Sequence, residues 1–299
     1  MTIKKYLRNV ALITGGGGQL ANALVAQTPE TWEAKQFARR ELDITSAREV
    51  SAAIAEFRPR VILNAAAFTR VDLAETERTT AFSVNEDGVA NLATMCAQNA
   101  CRLIHVSTDY VFGGGEGNVP YSVADEPSPI NTYGESKLAG ERWVRQLLPD
   151  LGLIVRTSWL YSAQPPNFVL TILNLINQRA VVKVVSDQIG SPTWAEGLAQ
   201  TLWRAADTAA LSGVLHWTDA GAASWYEFAL AIEEESRQLG LVHTKGHVVQ
   251  PISAAEYPTL AKRPRYTVLS SRETCARLRI SQTPWRTQLR TMLEGIARD

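Results

Sequence analysis

The sequence predicts an α/β protein in which a parallel, doubly wound sheet is followed by a smaller C-terminal lobe. Three observations support this fold class. Short apolar runs that are typical of buried parallel strands alternate with helical segments from Val10 to Trp159. Four glycines, Gly15–Gly18, separate the first of these runs from the first helical segment. Beyond Trp159 the alternation weakens, which indicates that a second and smaller lobe forms there.

The composition of the 299 residues excludes several classes of protein. Thirty basic and thirty acidic side chains cancel, so we expect neither nucleic acid nor an anionic membrane as a partner. No apolar run is long enough to span a bilayer, and Lys4, Lys5 and Arg8 lead into an apolar run too short for a signal peptide. Three scattered cysteines without a CxxC pair indicate reduced thiols and a cytoplasmic protein.

The first predicted strand, Val10–Thr14, leads into the turn Gly15–Ala21 and then into a helix. Glycines let a backbone approach a pyrophosphate closely, and the N-terminus of the helix offers N–H groups to it. Ala21 stands at the last glycine position of a GxxGxxG-type pattern, where packing between helix and strand can accept it. A flexible turn is the alternative, but the position directly after the first strand favours a dinucleotide site of the Rossmann type.

The second predicted strand, Ala34–Ala38, bears on the choice of dinucleotide. A site for NAD usually places an acidic residue near the end of this strand, to bind the ribose 2′-hydroxyl. Here Arg39 and Arg40 come first, and Glu41 lies beyond them. Guanidinium groups suit a 2′-phosphate, so we expect NADPH rather than NADH. The alternative is that both arginines are solvated loop charges.

The following elements continue the alternation. They are a helix with Val50, Ile54 and Phe57 on one face, a strand at Val61–Asn64, a helical region from about Ala74 to Asn99 that breaks near Asn85, a strand at Arg102–Val106, a loop from Gly113 to Asn131, and a strand at Leu151–Arg156. Small residues, Ala65–Ala67, follow the third strand, as expected where a chain passes under a cofactor. His105 and His216 lie in strand-like runs and are interpreted as packed neutral side chains.

Tyr133 and Lys137 lie four residues apart at the start of a predicted helix, so their side chains leave the same face one turn apart. An ammonium group beside a phenol lowers the pKa of the phenol, which could then serve as the general acid of a carbonyl reduction. Thr108 ends the preceding strand, where its hydroxyl could donate to a substrate carbonyl. Alone, the spacing is more typical of an ordinary helix start with an exposed lysine. Its place after a glycine turn favours the chemical interpretation.

In the second half the predicted elements are less regular. They are helices at Asn167–Asn177, Trp194–Asp207, Ser224–Leu239, Ser270–Leu278 and Trp285–Ala297, strands at Val181–Val185 and Gly213–Trp217, a turn at Asp187–Thr193, and an extended segment at Pro251–Arg265. We expect residues 1–158 to form a dinucleotide-binding domain, with 192–218 returning to it. Residues 159–191 and 219–299 then form a substrate-binding lobe.

Taken in order, the motifs resemble those of the extended short-chain dehydrogenase/reductases and, more narrowly, the dTDP-4-dehydrorhamnose reductase family. The resemblance covers nearly the whole chain. It rests on the turn Gly15–Ala21, Leu42–Thr45, Asn64–Glu75, Ser107–Phe112, Tyr133–Glu141, Arg156–Trp159, Asn167–Phe168, Asp187–Thr193 and Arg263–Pro264. The glycine turn and the tyrosine–lysine pair mark only the superfamily, whereas the order of the other motifs is more specific.

The resemblance implies a role for each of these residues. NADPH, or NADH, would be bound by Gly15, Gly18, Gln19, Leu20, Arg39, Asp43, Ile44, Ala65, Ala66, Ala67, Tyr133 and Lys137. With Thr108, Tyr133 and Lys137 as its catalytic residues, the protein would reduce the C4 ketone of dTDP-4-dehydro-L-rhamnose to give dTDP-L-rhamnose. Thr108, Asp109, Trp159 and Asn167 would bind this dTDP-sugar substrate. The resemblance also allows a homodimer.

Departures from the family pattern leave alternatives open. Some members use acidic residues after the glycine turn for a metal-linked dimer, but Asn22 and Ala23 stand here, so we expect no metal. The segment Pro264–Thr267 replaces a more usual serine-bearing one, which leaves the preferred nucleotide open. Two other functions on this fold are an epimerase or dehydratase with tightly held NAD, and a non-catalytic regulatory subunit. The intact Thr108, Tyr133 and Lys137 weigh against the regulatory subunit.

Overall fold

The computed structural model describes residues 9–115, 118–208, 210–244 and 246–298. The predicted absence of a signal peptide concerns Lys4, Lys5 and Arg8, which lie outside the described residues. The strands are β1 (Asn9–Thr14), β2 (Trp32–Phe37), β3 (Val61–Asn64), β4 (Arg102–Thr108), β5 (Gly152–Thr157), β6 (Leu160–Tyr161), β7 (Val181–Val185), β8 (Ile189–Gly190), β9 (Thr193–Trp194), β10 (Gly213–His216), β11 (Ala223–Ser224) and β12 (Val248–Ile252).

Eleven helices are found in the described part of the chain. They are α1 (Gln19–Ala26), α2 (Ala47–Phe57), α3 (Val71–Ala74), α4 (Arg78–Phe82), α5 (Gly88–Gln98), α6 (Thr132–Leu147), α7 (Phe168–Gln178), α8 (Ala195–Asp207), α9 (Trp225–Gln238), α10 (Arg272–Leu278) and α11 (Trp285–Arg298). None of them, over the ranges given above, is both long and apolar enough to cross a membrane.

Six strands form one parallel sheet in the order β10-β5-β4-β3-β1-β2. The chain runs from β1 outward to β2 and then returns to β3 on the other side of β1, so the order of the strands reverses beside β1. In such sheets ligands bind outside the carboxyl ends of the strands, at this reversal. The predicted doubly wound parallel sheet is confirmed.

Alternate residues of the strands pack into two separate hydrophobic clusters, one on each face of the sheet. Ile13, Leu63 and Ile104 pack with apolar residues of α1 and α8. Leu12, Ile62, Leu103 and Ile154 pack instead with α2, α5 and α6. Because side chains alternate across a strand, two buried faces require the nearly continuous apolar runs that the sequence shows.

The helix predicted to break near Asn85 does not break. A π-helical segment, Ser83–Asp87, joins α4 to α5 without interruption. The buried side chain of Asn85 hydrogen-bonds the backbone of Phe68 in both directions, at 2.9 and 3.1 Å, and donates to the Ser136 hydroxyl at 3.0 Å. Such π segments often occur at functional sites, and this one positions the chain beside the start of α6.

The second half of the chain contributes to both parts of the molecule. Gly213–His216 pairs in parallel with β5 and so belongs to the main sheet. Apolar residues of α7, α9 and α11 form a third cluster, with Phe228 and Leu289 fully buried in it. This cluster is the core of what we call the lobe, and β7 and β12 pair in parallel at its side. Strand β12 lies largely before the segment that was predicted to be extended.

Candidate active site

A cavity of about 530 Å³ lies at the carboxyl ends of β1, β3, β4 and β5, and we call it the strand-end cavity. Most of the residues predicted for the site line it: Gly15, Gly18, Gln19, Leu20, Ala65, Ala66, Ala67, Thr108, Asp109, Tyr133, Lys137 and Trp159. Residues from four strand ends and from α6 therefore meet at one place, as the order of the motifs predicts.

Four residues predicted for the site do not line this cavity. The Arg39 side chain is 74% exposed, and its Nε lies 3.2 Å from Oδ2 of Asp43. Asp43 also accepts hydrogen bonds from the backbone and hydroxyl of Thr45, at 3.0 and 2.8 Å. The Ile44 side chain is buried in the core and packs against Gly88. Asn167 caps α7 and reaches Gln19 at 3.2 Å.

The glycine turn has the geometry of a phosphate-binding turn. Gly15 has φ of +78°, and a Cβ atom there would lie 2.8 Å from the backbone carbonyl of Ala65, so only glycine fits. Gly18 precedes α1, and no side chain caps this end of the helix. Backbone N–H groups at an uncapped helix N-terminus attract anions, so the residues present fit the pyrophosphate of a dinucleotide.

Gln19 connects the turn to the segment that follows β6. Its side chain accepts a hydrogen bond from the Ser162 hydroxyl at 2.8 Å and donates to the Pro166 carbonyl at 3.2 Å. Asn22, one turn further along α1, donates to the Gln164 side chain at 2.6 Å. The Gln19 side chain is thus held by protein partners, and only its place at the cavity wall agrees with the predicted cofactor contact.

Helix α6 is positioned by polar contacts at its start. The Asn131 side chain caps it by accepting from the Gly134 N–H at 2.8 Å. Glu75 accepts from the backbone and the hydroxyl of Thr132, at 2.8 and 3.0 Å. Gly134 lies so close to the Tyr110 carbonyl that no side chain fits between them. These contacts fix Tyr133 at the cavity wall, where its ring meets that of Tyr110 edge to face, 5.9 Å between centroids.

The pKa of Tyr133 is shifted upward, in the opposite direction to the shift predicted from the sequence. Burial raises the pKa of this phenol above its usual value, and the charges of Asp109 and Tyr110 raise it further. A hydrogen bond with Thr108 acts in the opposite direction. The predicted lowering by Lys137 is wrong for this arrangement, because the amine of Lys137 is turned toward β4. Tyr133 is therefore protonated at neutral pH, as a general acid must be.

Lys137 is almost completely buried, with 2% of its surface exposed. Its Nζ donates to the Val106 carbonyl at 2.8 Å and lies 3.3 Å from Nε2 of His105. Burial lowers the pKa of Lys137 to about 8, although the charge of Glu141 opposes this change. The ammonium and the neutral amine are therefore both accessible near neutral pH.

Asp109 is buried beside Thr108, whose hydroxyl donates to its Oδ1 at 3.0 Å. Burial raises the pKa of Asp109 to about 7, while hydrogen bonds with Thr267 and Thr108 lower it. Thr267 lies in the segment Pro264–Thr267, and its side chain makes a hydrogen bond with Asp109. A carboxyl group poised near neutrality can accept or donate a hydrogen bond in the site.

Two indole rings separate the strand-end cavity from a second cavity. Trp159 stacks on Trp225, with 3.4 Å between ring centroids and an interplanar angle of 5°. Trp159 adopts a left-handed backbone, φ +46°, which is unusual for a bulky residue and common at functional sites. The Trp225 ring also contacts Phe168, at 4.5 Å. Flat apolar surfaces of this kind suit the face of a sugar.

The second cavity has a volume of about 750 Å³, and we call it the lobe cavity. Its wall includes Phe168, Trp225 and three basic side chains, Lys183, Lys262 and Arg263. Arg263 is held by Asp72, with Nη2 2.8 Å from Oδ2. Asp72 and Glu75 belong to one predicted motif, which thus ties the lobe cavity to the start of α6. The described residues contain no group of three or more His, Cys, Asp or Glu that could hold a metal ion.

Comparison with known proteins places the chain in a family. Residues 9–298 match the family model described as the RmlD substrate binding domain. A dTDP-4-dehydrorhamnose reductase from Aggregatibacter actinomycetemcomitans is 38% identical over 288 residues, which cover 94% of this chain and 97% of that protein. This chain belongs to the dTDP-4-dehydrorhamnose reductase family. A further relative, a dTDP-4-keto-6-deoxy-D-glucose reductase from Streptomyces niveus, is 42% identical over 259 residues, 86% of this chain and 87% of that protein.

Solved structures agree with the place of the chain in this reductase family. A dTDP-4-dehydrorhamnose reductase from Bacillus anthracis, crystallised in complex with NADP, superposes with a TM-score of 0.90 at 35% identity. The match covers 97% of this chain and 100% of that one. A UDP-glucose 4-epimerase from Thermus thermophilus, at 18% identity and a TM-score of 0.79, shares the fold alone. The predicted family resemblance is confirmed.

Several residues of the site were not singled out from the sequence. Lys183 and Trp225 lie in a strand and a helix that the sequence predicts, and no motif marks either residue as functional. Thr267 belongs to the segment Pro264–Thr267, which was named for the nucleotide and not for a contact with Asp109. Trp225 follows the predicted helix start at Ser224, and Lys183 is the one charged residue inside an apolar strand, β7. Together with Phe168 and Arg263, which belong to motifs named from the sequence, that lysine lines the lobe cavity.

Proposed function

We propose that this member of the reductase family reduces the C4 ketone of dTDP-4-dehydro-L-rhamnose to dTDP-L-rhamnose, with NADPH or NADH as reductant. The observation that carries the proposal is the meeting of Thr108, Tyr133 and Lys137 with the glycine turn in one strand-end cavity. The names of the relatives and the NADP in the Bacillus anthracis structure support it.

The residues of the chain divide the work between binding and proton transfer. A bound nicotinamide would supply the hydride. Tyr133, kept protonated by burial, would give its proton to the ketone oxygen, and Thr108 would orient that oxygen by a hydrogen bond. In its ammonium form, Lys137 would balance the negative charge of the Tyr133 phenolate. Asp109 and Trp159 would position the hexose, because both line the cavity next to Thr108.

The lobe cavity would hold the nucleotide end of the substrate. A dTDP-sugar carries a charged diphosphate between two rings, and the lobe cavity offers Lys183, Lys262 and Arg263 beside the aromatic pair Phe168 and Trp225. Basic side chains bind phosphate oxygens through charge-assisted hydrogen bonds. The stacked Trp159 and Trp225 rings would lie between the hexose and the nucleotide.

Four further residues would act at the edge of the site. Arg39 would bind the ribose 2′-phosphate of NADPH, with Asp43 and the backbone at Ile44 near the adenine. Asn167 would act by holding Gln19 and the end of α7 rather than by lining the strand-end cavity. We also propose that residues 1–158, with 192–218, bind the dinucleotide, and that residues 159–191 and 219–299 bind the substrate. The enzyme would act in the cytoplasm as a homodimer.

A second candidate function differs in the sugar alone. The relative from Streptomyces niveus carries the name of a dTDP-4-keto-6-deoxy-D-glucose reductase at 42% identity, close to the identity with the rhamnose enzymes. The two substrates differ in stereochemistry and not in the reaction. The substrate that is turned over decides between the two candidates, and the face of the ketone that meets the nicotinamide decides only the configuration formed at C4.

A substrate panel tests the proposal. The protein is mixed with NADPH or NADH and with each enzymatically generated dTDP-4-keto sugar, and oxidation is followed by the loss of absorbance of the reduced nicotinamide. We expect turnover with the L-rhamno precursor and identify the product by its proton coupling constants. Turnover with the D-gluco precursor alone would favour the second candidate. A folded protein that oxidises neither cofactor with either sugar would overturn both.

A further inference from the structure

Four buried polar side chains form a row beneath the strand-end cavity. The Thr14 hydroxyl donates to Oδ1 of Asn64 at 2.6 Å, Nδ2 of Asn64 lies 2.9 Å from Nδ1 of His105, and Nε2 of His105 lies 3.3 Å from Nζ of Lys137. The first three are fully buried, and 2% of Lys137 is exposed. The row crosses β1, β3 and β4 at adjacent positions and ends on α6.

The orientation of the Asn64 amide is fixed by its partners. The backbone N–H of Ala66, which can only donate, points to Oδ1 of Asn64 at 3.2 Å. The other end of the amide is therefore its NH₂ group, and this group donates to Nδ1 of His105.

The tautomer of His105 follows from that contact. Burial lowers the pKa of His105 well below its usual value, and the charge of Lys137 lowers it further, so the ring is neutral. A neutral imidazole carries one N–H. Because Nδ1 accepts from Asn64, the hydrogen must be on Nε2, the atom that faces Lys137.

The contact between His105 and Lys137 then depends on the protonation of the lysine. An ammonium group has only donors, so it cannot accept the Nε2–H of His105, whereas a neutral amine can accept it and still donate to the Val106 carbonyl. Glu141, one turn along α6, is a charged group that acts on Lys137. Its carboxylate is bound by Arg156, at 2.6 and 2.9 Å, and by the Ser107 hydroxyl at 2.6 Å.

We propose that His105 is a positioning residue for Lys137: its Nε2–H, fixed by Asn64, holds the neutral amine against β4 and disfavours the ammonium in that position. Lys137 then becomes charged when its amine leaves β4 for partners in the strand-end cavity. The inference rests on the proposed function in giving Lys137 a catalytic role. The tautomer itself can be measured without turnover.

Nitrogen NMR of the protein labelled with ¹⁵N-histidine tests the tautomer directly. We expect the Nε2–H form for His105, assigned by loss of its signals in His105→Gln. His216 serves as an internal reference, because its Nδ1 lies 3.1 Å from the Tyr121 carbonyl and must donate to it, which gives the opposite tautomer. An Nδ1–H tautomer or a charged ring at His105 between pH 6 and 9 would overturn the proposal.

The variant Asn64→Asp tests the effect on Lys137. A carboxylate in place of the amide NH₂ would accept from Nδ1 of His105 and move the hydrogen there, so that Nε2 could accept from the ammonium. We expect the pKa of Lys137, followed by ¹³C-lysine NMR and assigned with Lys137→Met, to rise by about one unit or more, and the basic limb of kcat/KM to move with it.

The exposed His243 provides a matched control. The variant His243→Gln should leave the pKa of Lys137 and the basic limb of kcat/KM unchanged. If Asn64→Asp does not fold, the tautomer in the native protein decides alone. An unchanged tautomer and an unchanged pKa of Lys137 in folded Asn64→Asp would refute the proposal. If the enzyme turns over none of the sugars, the NMR results still decide it, because they need no substrate.

Discussion

In the strand-end cavity the ionisable side chains are buried, whereas in the lobe cavity they reach toward solvent. Burial moves the pKa of Lys137 down to about 8 and that of Asp109 up to about 7, so both lie close to neutrality. Lys183 and Lys262 of the lobe cavity are exposed, and only Arg263 among its three basic residues is held by a carboxylate.

The contrast indicates what each cavity requires. Proton transfer needs groups whose charged and neutral forms are close in free energy, and desolvation provides this. Capture of a diphosphate needs permanent charge that acts through solvent, at a cost in affinity when salt is added. Changes in the strand-end cavity should therefore alter kcat and pH dependence, and changes in the lobe cavity should alter KM.

The largest effect is expected for Tyr133→Phe. Without its hydroxyl the strand-end cavity lacks a general acid, and kcat should fall by about 10²- to 10⁴-fold. The dissociation constant of NADPH, measured by fluorescence titration, should change little. Tyr110→Phe is the matched control, because its ring touches Tyr133 while its hydroxyl lies 3.5 Å from Arg263. Turnover of Tyr133→Phe equal to that of Tyr110→Phe would remove Tyr133 as the acid.

The next effect is on stability and concerns Asp109. Its pKa in the folded protein, about 7, is raised, so the folded state favours the protonated form. This contribution to the free energy of unfolding is fully present below the pKa of Asp109 in the unfolded chain, about 4, and is lost as the pH rises through its pKa in the folded protein. The side chain in Asp109→Asn cannot ionise. Between pH 4 and pH 8 the free energy of unfolding of this variant should therefore fall by on the order of 2–4 kcal/mol less than that of the unaltered protein.

Asp219 is the matched control for this change, since burial also raises its pKa to about 7 but it lines neither cavity. Denaturant unfolding at several pH values should show the same flattening for Asp219→Asn, with turnover intact. If the unfolding free energy of both variants depends on pH as in the unaltered protein, the raised pKa values are wrong.

A smaller effect is expected when the lobe cavity loses its exposed charge. Lys183→Ala combined with Lys262→Ala should raise KM for the dTDP-sugar by about 10- to 100-fold and leave kcat within about twofold, because charge-assisted hydrogen bonds contribute ~1.5–3 kcal/mol before solvent screening. Steady-state kinetics at two salt concentrations measure this. Lys35→Ala, on β2, is the control. A fall in kcat without a change in KM would place the diphosphate elsewhere.

The smallest effect is expected for Arg39→Ala. The exposed guanidinium can bind a 2′-phosphate only through solvent-screened contacts, so the ratio of kcat/KM with NADPH to that with NADH should fall by about 3- to 10-fold. Arg48→Ala, on the exposed side of α2, should leave the ratio unchanged. An unaltered enzyme with a strong preference for NADH would show that the interpretation of Arg39 and Arg40 is wrong.

The sequence predicts the strand-end cavity well because its residues follow strand ends. Gly15 follows β1, Thr108 is the last residue of β4, and Trp159 lies two residues after β5. Parallel strands bring their carboxyl ends together. The lobe cavity could not be predicted in this way. Lys183 and Arg263 meet through packing between segments far apart in the chain, and no local pattern marks such a meeting.

The direction of the Lys137 side chain was equally beyond the sequence. Helical spacing places Tyr133 and Lys137 on one face, and this prediction holds. The amine nevertheless turns to His105 and the Val106 carbonyl, because a buried amine takes the nearest hydrogen-bond partners. Helical spacing determines the face of α6 from which the Lys137 side chain leaves, and the groups on β4 determine the position of its amine.

The π-helical segment Ser83–Asp87 has a further consequence for how the chain tolerates insertions and deletions. It contains one residue more than α-helical winding needs, and each residue of an α-helix turns the chain by about 100°. Loss of that residue would rotate α4 relative to α5, and Arg78 would leave Glu135, which it now meets at 2.8 Å at the start of α6. We therefore expect the insertion or deletion of even one residue in this segment to disturb the start of α6, whereas substitutions that keep its length should be tolerated better.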